Sequence, residues 1–372
     1  LIDIVQQFHQ KLQARDKDGL LRSLPPETGL IDFCSNDYLG FSRSPELKRI
    51  LNEQTNLHSY QIGSTGSRLI SGNTTFAEDL ETFIAEFHES KAALLFNSGY
   101  DANVGLFSCI AQRNDTIISD ELIHASIIDG IRLSHATRYT FRHNDLNSLE
   151  SKLKIAKGNI FIAVESVYSM DGDLSPLKEI SALANRYNAA LIVDEAHAAG
   201  VFGHEGRGLV HELNMQQDVF ARVITFGKAF GTHGAAVLGS KTLQLYLINF
   251  ARSFIYTTAQ SFHNLLSIRA AYTFLQMFNH QELIHQRVSI FNKLLKLNDI
   301  DSRSPIKKVI IGGNEKTKML ASDLKKQGFD VRAILAPTVP AGMERLRICI
   351  HTHNTHSEIE QLTTAIVNYQ NL

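Results

Sequence analysis

From Ala92 onward the chain alternates between two periodicities. Short apolar runs are followed by longer stretches in which apolar residues recur every three or four positions. The short runs are Ala92–Phe96, Thr116–Ser119, Arg138–Phe141, Ile160–Val164, Ala190–Val193, Val223–Phe226 and Ala235–Leu238. Helical patterns such as Leu177 to Tyr187 separate them. This alternation predicts an α/β fold whose large domain holds a mostly parallel sheet of seven strands. Near Gln260 the pattern changes to two long helices, Phe262–Phe278 and Gln281–Leu297. After Ser304-Pro305, strands at Lys308–Ile311 and Arg345–Ile350 alternate with helices at Asn314–Gln327 and Ser357–Tyr369, which predicts a smaller C-terminal α/β domain. The expected division is an N-terminal helical segment over 1–50, a large domain over 51–260 and a small one over 261–372.

Ile2, Val5, Phe8 and Leu12 predict an amphipathic helix from Ile2 to Asp16. Arg22 follows in a connector that ends at Pro25-Pro26. Ile31–Cys34 reads as a short strand, Ser35–Gly40 as a turn, and Ser44–Leu57 as a helix with Pro45 in its first turn. Gly63–Asn73 is rich in glycine and hydroxyls, but no Gly-Lys-Ser/Thr follows, so it is not a P-loop. Thr75 and Glu78 have capping-box spacing. Phe76, Leu80, Phe83, Ile84 and Phe87 mark one apolar helix face beyond them, against which the glycine loop is expected to be fixed.

Composition narrows the class without deciding it. With 372 residues, 44% hydrophobic and 20% charged, the chain has the make-up of a soluble globular enzyme. A net charge of -1 gives no electrostatic case for nucleic acid or a membrane surface. No stretch approaches a membrane-spanning helix, and Leu1–His9 is too polar for a signal peptide. Cys34, Cys109 and Cys349 form no CxxC and no paired framework, which fits free thiols in a reducing cytoplasm.

In open parallel sheets, ligands bind beyond the carboxyl ends of the strands. Here those ends carry Asn97-Ser98-Gly99-Tyr100; Asp120 and His124; Glu165, Ser166 and Ser169; Asp194, Glu195 and His197; and Gly227-Lys228. A lone lysine after a strand is usually solvated. A lysine desolvated at a strand end has a lowered pKa and becomes a nucleophile able to form a Schiff base with pyridoxal phosphate (PLP). Asp194, after the apolar Leu191-Ile192-Val193, suits a carboxylate that keeps a pyridine nitrogen protonated; it also suits an ordinary loop carboxylate. His124 suits a planar ring or proton transfer, and alone it also suits a satisfied loop histidine. His197 is placed to bond a ring oxygen. Ser98, Gly99, Tyr100 and Thr225 offer hydroxyls and amides to a phosphate, and a helix beginning after Ser98-Gly99 would add its dipole. Asp194, Glu195 and His197 lack a third histidine at useful spacing for zinc, so no metal is expected. His351, His353 and His356 follow a strand with no nearby carboxylate in the sequence and are expected to face solvent.

These motifs, in order, resemble the α-oxoamine synthases, PLP-dependent acyltransferases of fold type I (aspartate aminotransferase-like). The resemblance runs from about Arg22 to near the C-terminus. It is carried by Ser35-Asn36-Asp37-Tyr38-Leu39-Gly40, the Gly63–Asn73 loop, Ser98-Gly99-Tyr100 and His124-Ala125-Ser126, then by Val167–Asp173, Val193-Asp194-Glu195-Ala196-His197, Thr225-Phe226-Gly227-Lys228, Pro337-Thr338-Val339-Pro340 and Leu346-Arg347. It implies that Lys228 carries PLP and later moves a proton, Asp194 pairs with the pyridine nitrogen, His124 stacks on the ring and His197 bonds its hydroxyl. Ser169 and Thr225 would line the cofactor, with Ser98, Gly99 and Tyr100 near its phosphate. Thr257 of a partner subunit would reach the same phosphate, which makes the protein a homodimer with shared sites. Arg347 would clamp the amino-acid carboxylate, and Arg22 and Thr338 would lie in the acyl-donor site. Both substrates are small molecules.

Within the family the chain looks most like the branch that joins L-alanine to a pimeloyl thioester in biotin biosynthesis. Sister members that use glycine or serine with other acyl-CoAs remain alternatives, since the pocket around Cα is not legible in the sequence. The Asp171-Gly172-Asp173 and Pro337–Pro340 motifs argue against an aminotransferase or a cysteine desulfurase. One departure stands out: Leu335 falls two residues before Pro337, where several members of that branch carry an arginine. Recognition of the far end of the acyl chain is therefore open, with Arg22 as a candidate.

Overall fold

The computed structural model describes residues 4–24, 29–57, 60–296 and 303–370. Twelve strands occur among them: β1 Ile31–Asp32, β2 Ala92–Phe96, β3 Thr116–Asp120, β4 Thr137–Phe141, β5 Ile160–Glu165, β6 Ala189–Asp194, β7 Ala221–Thr225, β8 Ala235–Gly239, β9 Ile306–Ile310, β10 Phe329–Asp330, β11 Arg332–Ile334 and β12 Arg345–Cys349. Seven form the main sheet in the order β2-β8-β7-β6-β5-β3-β4. Its pairings are parallel except those of β8, which is antiparallel to both β2 and β7.

Alternation along each strand explains why the sheet is buried on both faces. Ala93, Leu95, Ile118, Val193, Ile224 and Leu238 enter one core, while Leu94, Ile117, Ile192, Val223 and Val237 enter the other. The register sets the strand ends side by side: Glu165 lies opposite Asp194, and Asp194 opposite Val223. Polar residues just past these positions therefore gather at one edge.

The smaller part of the fold is a three-stranded antiparallel sheet, β11-β12-β9. β1 pairs in parallel with β10, so the segment before the Ser35–Gly40 turn is anchored to C-terminal structure. The Cys349 amide bonds the Phe33 carbonyl at 2.8 Å, and the Thr352 amide bonds the Tyr38 carbonyl at 2.9 Å.

Helix α1 spans Ile4–Lys17 and has no buried residue. Ile2, Pro25-Pro26 and Leu297 lie outside the described residues. Helix α2 spans Pro45–Thr55, with Ser44 as its cap and Pro45 in the first turn. Helix α3 spans Thr75–Phe87 and corrects the expected capping box: Thr74 is the cap, accepting from the Ala77 amide, and the Glu78 carboxylate accepts from Asn73 instead. The helix starts one residue earlier than Thr75 as cap would require, so Glu78 sits one position too far along to reach back. Arg68–Gly72 forms a single turn of π-helix whose Arg68 pairs with Glu81 of α3, which fixes the glycine loop to that helix. Among the described residues, no helix is long and apolar enough to cross a membrane.

Candidate active site

The stretch after β7 makes the loop that carries Lys228. Phe226 is fully buried and bonds back to Gly234, and Gly231 closes the turn on the Lys228 carbonyl at 2.9 Å. Gly231 has φ +62°, and a Cβ there would collide with the Ser42 backbone nitrogen. Glycine is required at this position, and the lysine loop is thereby locked against the chain leaving the Ser35–Gly40 turn. Lys228 is half-buried. Burial holds its pKa down to about 8, while the Asp194 and Glu165 carboxylates pull it back up.

Asp194 ends β6 and is 5% exposed. One oxygen accepts from the Ala196 amide at 2.8 Å, the other from Asn103 Nδ2 at 2.7 Å. Asn103 projects from helix α4, Gly99–Cys109, and also bonds Ser126 of helix α5, Ala125–Leu133. The next residue, Glu195, is turned the other way and is neutralised by Arg222, whose Nε lies 2.7 Å from it. That pairing removes Glu195 from metal chemistry and stiffens the strand end beneath Asp194.

His124 caps α5, and its Nδ1 is 2.7 Å from Ser126 Oγ. Burial lowers its pKa, Asp194 opposes this and Lys228 adds to it. His197 is buried between two partners, with Nε2 2.7 Å from Lys228 Nζ and Nδ1 2.7 Å from Tyr38 Oη. Burial, then the nearby Lys228 and Arg347, push its pKa well below that of a free imidazole. Glu165 ends β5, and its Oε1 is buried without a hydrogen-bond partner. Burial and then Asp194 push its carboxyl up to about 8.

Arg347 arrives from β12. Its Nε donates to the Ser169 carbonyl at 2.7 Å, and its terminal nitrogens donate to Cys349 Sγ and Asn36 Oδ1, both at 3.0 Å. Cys349 is fully buried, and burial raises its thiol pKa to about 11, so it is no nucleophile at neutral pH. Ser98 caps α4 by accepting from the Asp101 amide at 3.0 Å. A Cβ on Gly99 would lie 3.4 Å from Thr225 Oγ1, so the helix start and the end of β7 face each other across a narrow gap.

Other expected residues lie farther from this cluster or are engaged elsewhere. Tyr100 is exposed and its hydroxyl bonds Asp129. Thr257 accepts from Asn97 Nδ2 at 2.9 Å within the same chain, next to the start of α4. Arg22 and Thr338 are exposed. The expectation for the C-terminal histidines needs correction. His356 is exposed, but His351 is fully buried and His353 half-buried, and both come within 4.8 Å of Asp32. The carboxylate that the local sequence lacked comes from β1. His351 engages both ring nitrogens, with Asn354 Oδ1 and the Ser35 carbonyl at 3.0 Å each, so the cluster braces the Ser35–Gly40 turn.

Comparison with known proteins decides the family. Residues 28–366 match the family described as aminotransferase class I and II. The 8-amino-7-oxononanoate synthase of Emericella nidulans is 45% identical, over 91% of this chain and 89% of its own length. The structure of 8-amino-7-oxononanoate synthase from Francisella tularensis superposes with a TM-score of 0.78 at 30% identity, over 93% of this chain and all of that one (100%). The chain belongs to the α-oxoamine synthases. A serine palmitoyltransferase variant from S. paucimobilis with a bound PLP–myriocin compound reaches a TM-score of 0.88 at 25% identity, over 99% of this chain and 98% of that one. The fold is that of the PLP-dependent fold type I enzymes, a seven-stranded mostly parallel sheet beside a smaller antiparallel one.

The residues of this α-oxoamine synthase suit PLP on physical grounds. An amine of lowered pKa, a buried carboxylate on the neighbouring strand end and the start of an eleven-residue helix converge on the same edge. Sequence reasoning assigned no role to four side chains of this cluster: Asn36, Tyr38, Asn103 and Glu165. Asn36 and Tyr38 stood in a recognised motif but read only as a turn. Asn103 sits mid-helix with no local signal. Glu165 appeared among the strand-end residues, and its apolar strand was the cue to its burial.

Proposed function

We propose that this chain condenses L-alanine with a pimeloyl thioester, carried by CoA or a carrier protein, to give 8-amino-7-oxononanoate, CO2 and the free thiol, a step of biotin biosynthesis. The observation that carries the reading is the Lys228 amine with its pKa held down to about 8 beside the Asp194 carboxylate. The names of the similar synthases supply the choice of substrates.

When bound, PLP supplies an aldehyde that takes up amines and a ring that accepts the electron pair left at Cα. Lys228 would hold it between turnovers and, once freed, move the proton at Cα. Asp194, held rigid by Asn103 and the Ala196 amide, would face the ring nitrogen and keep it protonated. His124 would cover the ring, with His197 at its hydroxyl and Ser169 at its side. Ser98, Gly99, Tyr100 and Thr225 would take the phosphate, aided by the dipole of α4. Arg347, already planar against Asn36 and the Ser169 carbonyl, is suited to a carboxylate. Glu165, its carboxyl raised to about 8, would stay largely protonated at neutral pH and so add no second negative charge beside Asp194.

Arg22 and Thr338 would meet the acyl donor. Thr257 of the partner subunit would complete the phosphate site of a homodimer. The exposed apolar stripe Ile4, Val5, Phe8 and Leu12 on α1 supports burial against a second copy. Three free cysteines support a reducing, cytoplasmic setting.

The test is release of free thiol by the PLP-loaded protein. Release with alanine and pimeloyl-CoA, and not with glycine or serine paired with acetyl-, succinyl- or palmitoyl-CoA, is the expected result. It would also show that Leu335 is tolerated. Release only with another pair would move the chain to a sister activity.

A further inference from the structure

A continuous chain of hydrogen bonds runs from Lys228 to Arg347. Lys228 Nζ lies 2.7 Å from His197 Nε2, and His197 Nδ1 lies 2.7 Å from Tyr38 Oη. Tyr38 Oη lies 3.0 Å from Asn36 Oδ1, which also receives Arg347 at 3.0 Å. Tyr38 is fully buried, so its hydroxyl must satisfy itself within this chain.

The direction of every bond follows from one end. A guanidinium can only donate, so the Asn36 atom facing Arg347 is its oxygen. That oxygen and the Tyr38 oxygen are 3.0 Å apart and need a hydrogen between them, which only the tyrosine can supply. Toward His197 the hydroxyl can then only accept, so Nδ1 carries the imidazole proton. The ring is neutral, because it is buried between the cationic Lys228 and Arg347. Nε2 is therefore bare and accepts from Lys228.

We propose that Tyr38 is a positioning residue: through its hydroxyl, Arg347 and Asn36 dictate the tautomer of His197 and keep Nε2 as an acceptor for the Lys228 amine. This rests on the reading of Lys228 as the cofactor lysine. A bare Nε2 holds the amine by an N–H and so leaves its lone pair free to point elsewhere. It also favours the ammonium form, whereas an Nε2–H would oppose it. Loss of the Tyr38 hydroxyl therefore lowers the pKa of Lys228. The other groups facing the lysine are Asp194, Glu165, Arg347, Cys349 and His124; of these Arg347 and Cys349 also interact with Tyr38, which is why the His197 tautomer is read directly beside the Lys228 titration.

The experiment uses PLP-free protein labelled with 15N-histidine, with His197 assigned by its loss in His197→Gln. In the wild type the neutral ring is expected to carry its proton on Nδ1. In Tyr38→Phe the proton moves toward Nε2, the form favoured in water. The Lys228 amine, followed by the pH dependence of its acetylation, titrates roughly one pH unit lower, the scale of a lost hydrogen bond to a charged group. Asn36→Leu, at a half-buried position, should reproduce both effects, and Asn36→Asp, which keeps an oxygen facing Tyr38, should restore the wild-type tautomer. These two variants carry the test if Tyr38→Phe does not fold. A proton on Nε2 in the wild type, or an unchanged tautomer in folded Tyr38→Phe or Asn36→Leu, overturns the proposal. Visible PLP absorbance and thiol release report separately on the cofactor role of Lys228, so the two readings can fail independently.

Discussion

Two histidines at the same edge of the same sheet have opposite fates. His197, after β6, is neutral and linked to an amine and a phenol. His143, after β4, lies between two carboxylates, with Nδ1 3.0 Å from Asp120 and Nε2 2.6 Å from Asp173. Burial opposes charge on His143, but its hydrogen bonds to Asp120 and Asp173 prevail and push its pKa up to about 10. Asn144 adds bonds to both carboxylates, so the charge on His143 is matched, although Asp173 Oδ1 and Asn144 Oδ1 have no hydrogen-bond partner of their own. Around Lys228 the reverse holds for charge: the amine is depressed and the Glu165 carboxyl is raised. Position at a strand end does not make a group reactive. Reactivity needs a group whose proton is held loosely near neutral pH, and His143 instead holds its proton tightly in two ion pairs that tie the loops after β3, β4 and β5 together.

Changes on the Lys228 side should cost chemistry and spare the fold. Lys228→Ala has the largest expected effect. The visible absorbance of lysine-bound PLP should vanish, and thiol release should fall on the order of a thousandfold or more. The melting temperature of the PLP-free protein should hold or rise slightly, since a lysine disfavoured by burial is removed. Retained absorbance with normal turnover would remove Lys228 from its role. Asp194→Asn comes next. The amide keeps the shape but loses the charge, so turnover should drop about a hundredfold or more. Stability should fall by only about 1–2 kcal/mol, because one of the two hydrogen bonds to Asn103 and Ala196 is compromised. Near-normal turnover would show that the carboxylate is not needed opposite the ring.

Periodicity exposed the sheet because its strands are short, apolar and separated by amphipathic helices, and all seven expected strands of the main sheet form. The strand-end rule then brought Asp194, His197 and Lys228 to one edge, since their positions follow from local sequence plus register. What local sequence could not show was contact between distant segments. His351 looked solvated because its carboxylate neighbour, Asp32, is more than three hundred residues away and reaches it only through the turn packed on β12. Asn36 and Tyr38 looked like turn residues for the same reason: their partners are Arg347 and His197. The capping residue of α3 was misplaced by one because adjacent threonines, Thr74 and Thr75, offer the same side chain. Arg22 and Thr338 entered through family resemblance, and their exposure here leaves the acyl-donor contacts to be tested by substrate.

His143→Asn is the smallest of these effects and the one that tests the other half of the comparison. The folded protein binds the His143 proton more tightly than the unfolded chain does, since the pKa rises from 6.5 to about 10. Its contribution is therefore complete below about pH 6.5 and is lost as pH climbs through about 10. Asp120 is 1% exposed and loses its cationic partner in the variant. Removing the imidazolium should therefore cost about 2–3 kcal/mol at pH 6. Urea unfolding of wild type and variant at pH 6 and pH 10 measures this directly. The gap between the two proteins should narrow sharply at the higher pH, while PLP absorbance per folded molecule stays the same at pH 6. A gap that is equal at both pH values would mean that His143 stabilises by packing against Tyr168, whose ring lies edge-on at 4.4 Å, and the contrast with His197 would then be one of shape and not of charge.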